Sequence, residues 1–132
     1  MTRICNMINY LTCLKMELIE KTLLTEHKID TCIKAGRDPK KEFYSNSSKY
    51  VILTNCIDFL ITYICNLEVK DIDIDKEINT INKRLNDMER EFNINFDKLL
   101  SKKQCTNKYK NIFKKDIKAF KKERLKRNEK EW

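Results

Sequence analysis

The stretch 74-IDKEINTINKRLNDMEREF-92 decides the fold class. Its apolar side chains Ile74, Ile78, Ile81, Leu85, Met88 and Phe92 step by 4-3-4-3-4, which places them on one face of an α-helix. Charged and amide side chains fill the remaining positions. The segment therefore predicts a long amphipathic helix with a coiled-coil-like seam. Beyond Phe92 the phase slips to Phe96 and Leu99, which reads as a stutter. Ahead of it stand Asp71, Asp73 and Asp75, acids that complement the positive end of a helix dipole. The same run has the opening of a calcium-binding loop, but Lys76 and Asn82 occupy the positions that demand Gly and Glu. Acidic capping explains the run without a metal.

Upstream, Ile4, Met7, Ile8, Leu11, Leu14 and Leu18, then Ile29, Cys32 and Ile33, repeat at helical spacing. Gly36 and Pro39 end that first helix near Ala35, and looser spacing between Thr22 and Glu26 allows a break near Thr25. Asp38–Pro39 reads as a second helix start, with the polar run Ser45–Ser48 as an interruption or a later start. From Val51 to Leu67 apolar residues wrap nearly the whole circumference, the pattern of a helix buried on most sides. It is expected at the centre of the fold. Asn55, Asp58 and Asn66 speak against a membrane span there, since one charge at mid-bilayer costs roughly 2.5–3.5 kcal/mol.

Downstream, a last helix opening near Thr106 carries Tyr109, Ile112, Phe113, Ile117 and Phe120 on one side. With no Gly or Pro between them, it can run on from the third. After Lys121 only Leu125 and Trp132 are apolar, so its final turns are expected to project. One Gly and one Pro in 132 residues exclude collagen-like, linker and turn-dense β architectures. The expected fold is an all-α antiparallel bundle of about four helices with a projecting basic C-terminal helix. Residues 1–105 form the bundle core and residues 106–132 the basic amphipathic helix, within a single domain.

Chemistry-bearing constellations are scarce. Cysteines at 5, 13, 32, 56, 65 and 105 include no Cys-x2-Cys pair for zinc. No export signal precedes them, so they read as reduced thiols in apolar helices of an intracellular protein, cytoplasmic or nuclear. There is one His, His27, and no nucleophile elbow, Gly-rich phosphate loop or His-Glu-x-x-His motif. Asp58 is the one acid inside an apolar helix, read as the polar partner of a residue across the bundle. Neither an enzyme nor a cofactor, metal or small-molecule substrate is expected.

Charge is the informative feature. The net charge is +8. Part of the lysine content follows from a composition rich in Ile, Asn and Lys, whose codons are AT-rich. Composition does not explain the segregation: residues 1–101 hold 15 basic and 16 acidic side chains, whereas residues 102–132 hold 13 and four. On a helix, Lys110, Lys114, Lys118 and Lys122 recur every fourth residue, and Lys108, Lys115 and Lys122 every seventh. They line a basic face opposite the apolar one. Lysine gives affinity for phosphates by displacing counterions, and with 11 lysines to two arginines in this segment sequence readout is not expected. The sequence thus predicts a helical accessory protein docking on RNA or a ribonucleoprotein through Lys108, Lys110, Lys114, Lys115, Lys118, Lys122, Arg124 and Arg127. The competing expectation is a subunit of a protein assembly, gripped through Ile78, Ile81, Leu85, Met88 and Phe92 and betrayed by an exposed seam.

Overall fold

The computed structural model describes residues 2–101 and 108–130. Six helices follow one another: α1 (Thr2–Lys34), α2 (Lys41–Cys65), α3 (Ile74–Phe92), α4 (Phe96–Ser101), α5 (Lys108–Ile112) and α6 (Lys114–Lys130). A 3-10 turn at Val69–Asp71 leads into α3, and the described residues contain no strand. The fold is all-α, with six helices among the described residues in place of about four.

Helix α1 runs unbroken for 33 residues, about 50 Å at 1.5 Å per residue. There is no break at Thr25, whose hydroxyl donates to the Lys21 carbonyl at 2.8 Å. Gly36, at φ 71°, turns the chain, and the Arg37 N–H donates to the Cys32 carbonyl at 2.9 Å. Helix α2 starts after an extended Lys40 that offers no side-chain cap. Asp38 stands two residues too early to cap it, and Ser45–Ser48 stays helical. Asp73 does cap α3, accepting from the Lys76 N–H at 3.2 Å.

The core is organised by the first half of α1, where Ile4, Met7, Tyr10, Leu11, Leu14 and Leu18 are all buried. Against them pack Leu53, Ile57, Leu60 and Ile64 of α2, Ile78, Ile81 and Leu85 of α3, Phe96, Leu99 and Leu100 of α4, and Ile117 and Phe120 of α6. The centre is therefore α1 and not the segment Val51–Leu67. Helix α2 lies at an edge, where it has α1 on one side and a fringe of α3 on another. Only 22% of its most apolar 18-residue stretch is buried, and Val51, Ile52, Phe59 and Tyr63 face outward. By length and composition it is the one helix among the described residues able to cross a membrane.

The phase slip after Phe92 is a break in the chain path. Asn93 adopts the left-handed conformation (φ 50°, ψ 56°), and the Ile94 N–H donates to the Glu89 carbonyl at 3.1 Å. Asparagine does here what glycine usually does at a helix end. Two side chains then start α4: Asn95 Oδ1 accepts from the Lys98 N–H at 2.9 Å, and Glu89 Oε2 from the Phe96 N–H at 2.8 Å.

Asn93→Ala is expected to destabilise the fold by about 1–2 kcal/mol, while Asn93→Gly is tolerated; urea denaturation separates the two. Ile117→Ala, in the core, is expected to cost about 2–5 kcal/mol in the same measurement.

Candidate nucleic-acid interface

Helix α6 packs on the core through Ile117 and Phe120, and one buried charged side chain sets its register. The apolar positions 113, 117 and 120 continue to 124 at 4-3-4 spacing, so Arg124 falls on the buried face and is only 1% exposed. All five of its N–H groups are taken. Nε donates to Asn82 Oδ1 at 2.8 Å. Nη1 donates to Tyr10 Oη at 2.8 Å and Asp97 Oδ1 at 3.0 Å, and Nη2 to Asn86 Oδ1 at 2.9 Å and Glu89 Oε1 at 2.6 Å. The guanidinium also lies 5.8 Å from the centroid of the Tyr10 ring, which meets Phe120 edge-on. The acceptors come from α1, α3 and α4. Asn82, Asn86 and Glu89 form a polar stripe at 4-3 spacing beside the apolar seam of α3.

Within this cluster, Tyr10 Oη also donates to Asp97 Oδ1 at 2.5 Å. The amides of Asn82 and Asn86 donate to Asn128 Oδ1 at 3.0 and 2.8 Å, so α6 stays on the core as far as Asn128. Burial opposes the charge on Arg124, but Tyr10, Asp97 and Glu89 more than offset it and hold the guanidinium protonated. Burial likewise pushes the Tyr10 hydroxyl well above its usual range, against the pull of Arg124.

With that face fixed, the lysines fall outward. Lys114, Lys115, Lys118, Lys122 and Lys126 are exposed and have no carboxylate partner among the described residues. On one flank a groove of about 500 Å³ is floored by Leu100 and Ile117 and rimmed by Lys110, Lys114, Lys118 and Lys121. Burial and the neighbouring Lys110 lower the Lys121 ammonium from its usual value, with Asp97 pulling the other way. On the other flank Arg3, Asp75, Glu123 and Arg127 interlock across a cleft between α1, α3 and α6 of about 1050 Å³. Arg3 binds Glu123 and, at 2.8 Å, Asp75. Arg127 binds Asn79 and reaches Asp75 at 3.4 Å and Glu123 at 3.3 Å.

Two expected phosphate ligands are thereby corrected. Arg124 is enclosed in the core, and Arg127 is held by carboxylates. Lys110 is half-buried at the groove, and the side chain of Lys108 lies outside the described residues. Lys114, Lys115, Lys118 and Lys122 share one outward face, as their spacing predicts. Lys121 and Lys126 belong to the same surface; seven residues after Lys114 and four after Lys122, they were legible in the spacing.

The assembly seam is also corrected. Ile78, Ile81 and Leu85 are fully buried, and Met88 and Phe92 are half-buried against the core. Ile78, Ile81 and Leu85 are used up inside the monomer, so the seam does not form an exposed stripe for a partner. Asp58 is exposed and pairs with Lys15 of α1 at 2.7 Å, so it is not a buried acid. None of the five described cysteines forms a disulfide with another; Cys13 is buried while Cys5 and Cys65 are exposed, and Cys105 lies outside the described residues. His27 is exposed. No three His, Cys, Asp or Glu side chains among the described residues come together as a metal site.

No protein-family model, curated protein or solved structure matches this chain.

Arg124→Ala leaves Asp97 and Glu89 facing each other without their cation and is expected to cost about 3–5 kcal/mol in thermal or urea unfolding. A raised Tyr10 pKa adds an alkaline limb. Above pH of about 10 the unfolded phenol ionises while the folded one stays neutral, so stability holds below that pH and falls above it. Tyr10→Phe is expected to flatten this limb in unfolding measured against pH.

Proposed function

We propose that this protein is a non-enzymatic helical accessory protein that docks on RNA or a ribonucleoprotein surface through the outward face of α6. One observation carries the reading. Every described arginine on α6 is engaged within the fold, whereas Lys114, Lys115, Lys118, Lys122 and Lys126 are left exposed and without carboxylate partners on one helix. Isolated charges on a surface are ordinary, but five like charges within four turns repel one another. A polyanion relieves that repulsion and releases its own counterions in doing so. Flexible lysine ammonium groups suit a phosphate backbone whose sequence is not read.

The groove beside Lys121 extends the same surface. Its apolar floor and cationic rim accommodate a sugar–phosphate segment, with phosphates at the rim. An intracellular, cytoplasmic or nuclear setting is part of this proposal. The antiparallel order of the long helices α1 and α2 and the packing of α6 along α1 support reading the fold as an elaborated helical bundle.

Exchanging Lys114, Lys115, Lys118 and Lys122 for Gln is expected to weaken binding equally across unrelated single-stranded RNA sequences in filter-binding or fluorescence assays. Each lost contact should reduce the log–log salt slope by about 0.7, and the unfolding midpoint should hardly move because exposed charges contribute little. A pulldown that recovers the same partners after nuclease treatment and after the four substitutions overturns the reading.

A further inference from the structure

Helix α2 carries a second seam that its fold does not use. Leu53, Ile57, Leu60 and Ile64 face α1 and are buried. On the opposite side Tyr44, Ser48, Val51, Asn55, Phe59, Thr62 and Asn66 are all exposed, Phe59 at 69%. Their steps are 4-3-4-4-3-4, helical throughout and symmetric about Asn55. None of the seven is charged. Between Tyr50 and Leu67 the only charge is Asp58, already neutralised by Lys15 at 2.7 Å. A large aromatic left this exposed beside Val51, Ile52 and Tyr63 marks a surface that takes a partner.

We propose that this face pairs with the same face of a second copy, α2 against α2 in antiparallel orientation, with the twofold axis at Asn55. The symmetric spacing is the reason for choosing a second copy. A twofold contact must be self-complementary, and reversing the helix about Asn55 returns each seam position onto another. Phe59 then lies over Val51 of the second copy, Ser48 over Thr62, and Tyr44 over Asn66. The two aromatics, Phe59 and Tyr44, each meet a smaller residue, and the two Asn55 amides meet on the axis, where a polar pair fixes register.

The surface also has a place for the knob to work against. A shallow groove of about 270 Å³ runs beside Phe59, lined by Asn55, Cys56, Leu60, Arg84 and Met88, and receives Val51 of the second copy. Because none of the seven seam positions is charged, the pairing sets no like charges against each other along the seam, and the one cation at the groove, Arg84, is exposed at its edge. From Tyr44 to Asn66 the seam is about 33 Å long. Two such faces bury on the order of 1,000 Å² in total, the threshold for a specific contact.

Sedimentation equilibrium on the full chain across the micromolar range tests this. The protein is expected to be a dimer. Phe59→Glu is expected to weaken association by about 30-fold with unchanged helicity and melting by circular dichroism, as befits an exposed position. Val51→Lys alone should weaken it as well. The double variant Val51→Lys/Phe59→Glu should recover association relative to either single change, most clearly at low salt, because opposite charges then face each other across the two copies. Within one copy those positions are eight residues apart, about 12 Å along the helix, too far to pair directly. A monomer throughout the range, or a dimer indifferent to Phe59→Glu, overturns the proposal. Failure of the double variant to recover overturns the antiparallel pairing. A monomer that sediments with phosphatidylcholine–phosphatidylserine vesicles, and no longer does so after Phe59→Glu, overturns it in favour of a lipid surface.

Discussion

A guanidinium in the middle of a hydrophobic core is the constraint around which the rest of this fold is arranged. An isolated charge there would cost several kcal/mol. Arg124 is tolerated because Tyr10, Asn82, Asn86, Glu89 and Asp97 supply one acceptor to each hydrogen-bond contact. Those five residues belong to three other helices, so the requirement fixes three helix placements at once. It also permits one register of α6. A slip of a single residue would bring Glu123 or Leu125 to the acceptors, and neither can donate to them. The network thus specifies the arrangement more than it adds to net stability. The outward aim of the lysines follows from that inward-facing arginine together with Ile117 and Phe120, which share its face.

Periodicity told most where a helix has neighbours along one side only. The seam Ile74–Phe92 became α3 with its bounds intact, and Gly36 ended α1 as expected. Periodicity misled where its signal has two meanings. An apolar circumference from Val51 to Leu67 describes a helix enclosed by others or one with a bare outer face, and spacing does not count neighbours. A phase slip at Phe92 describes a stutter in one helix or the end of it, and the difference lay in one asparagine able to take a positive φ. Arg124 was grouped with the lysines by charge, although its 4-3-4 relation to Phe113, Ile117 and Phe120 placed it on the buried stripe.

The biased composition is put to structural use. Asparagine, abundant here, supplies two of the acceptors that satisfy Arg124, the left-handed cap at Asn93 and the side-chain cap at Asn95. A chain with almost no glycine and little alanine can still turn sharply and fill polar niches, because asparagine tolerates αL and offers both a donor and an acceptor. Lysine, more abundant still, is kept off the core and concentrated on α6, while the exposed seam of α2 is left uncharged. The molecule therefore has two chemically opposite faces on different helices.

The great length of α1 divides it into two regimes. Its buried hydrophobic residues stop at Leu18, and beyond them Leu23, Leu24 and Ile33 are exposed. The outer half touches the start of α2 through contacts such as Lys28 over Phe43 at 5.9 Å and Lys21 over Tyr50 at 6.0 Å, which are weak at exposed sites. One continuous rod is thus anchored at its base and loosely bound at its tip. Backbone amides along it will exchange with solvent on a gradient, rapidly near Gly36 and only through global opening near Tyr10. The distal hairpin is a unit that frays and re-forms while the base of the same helix stays shut.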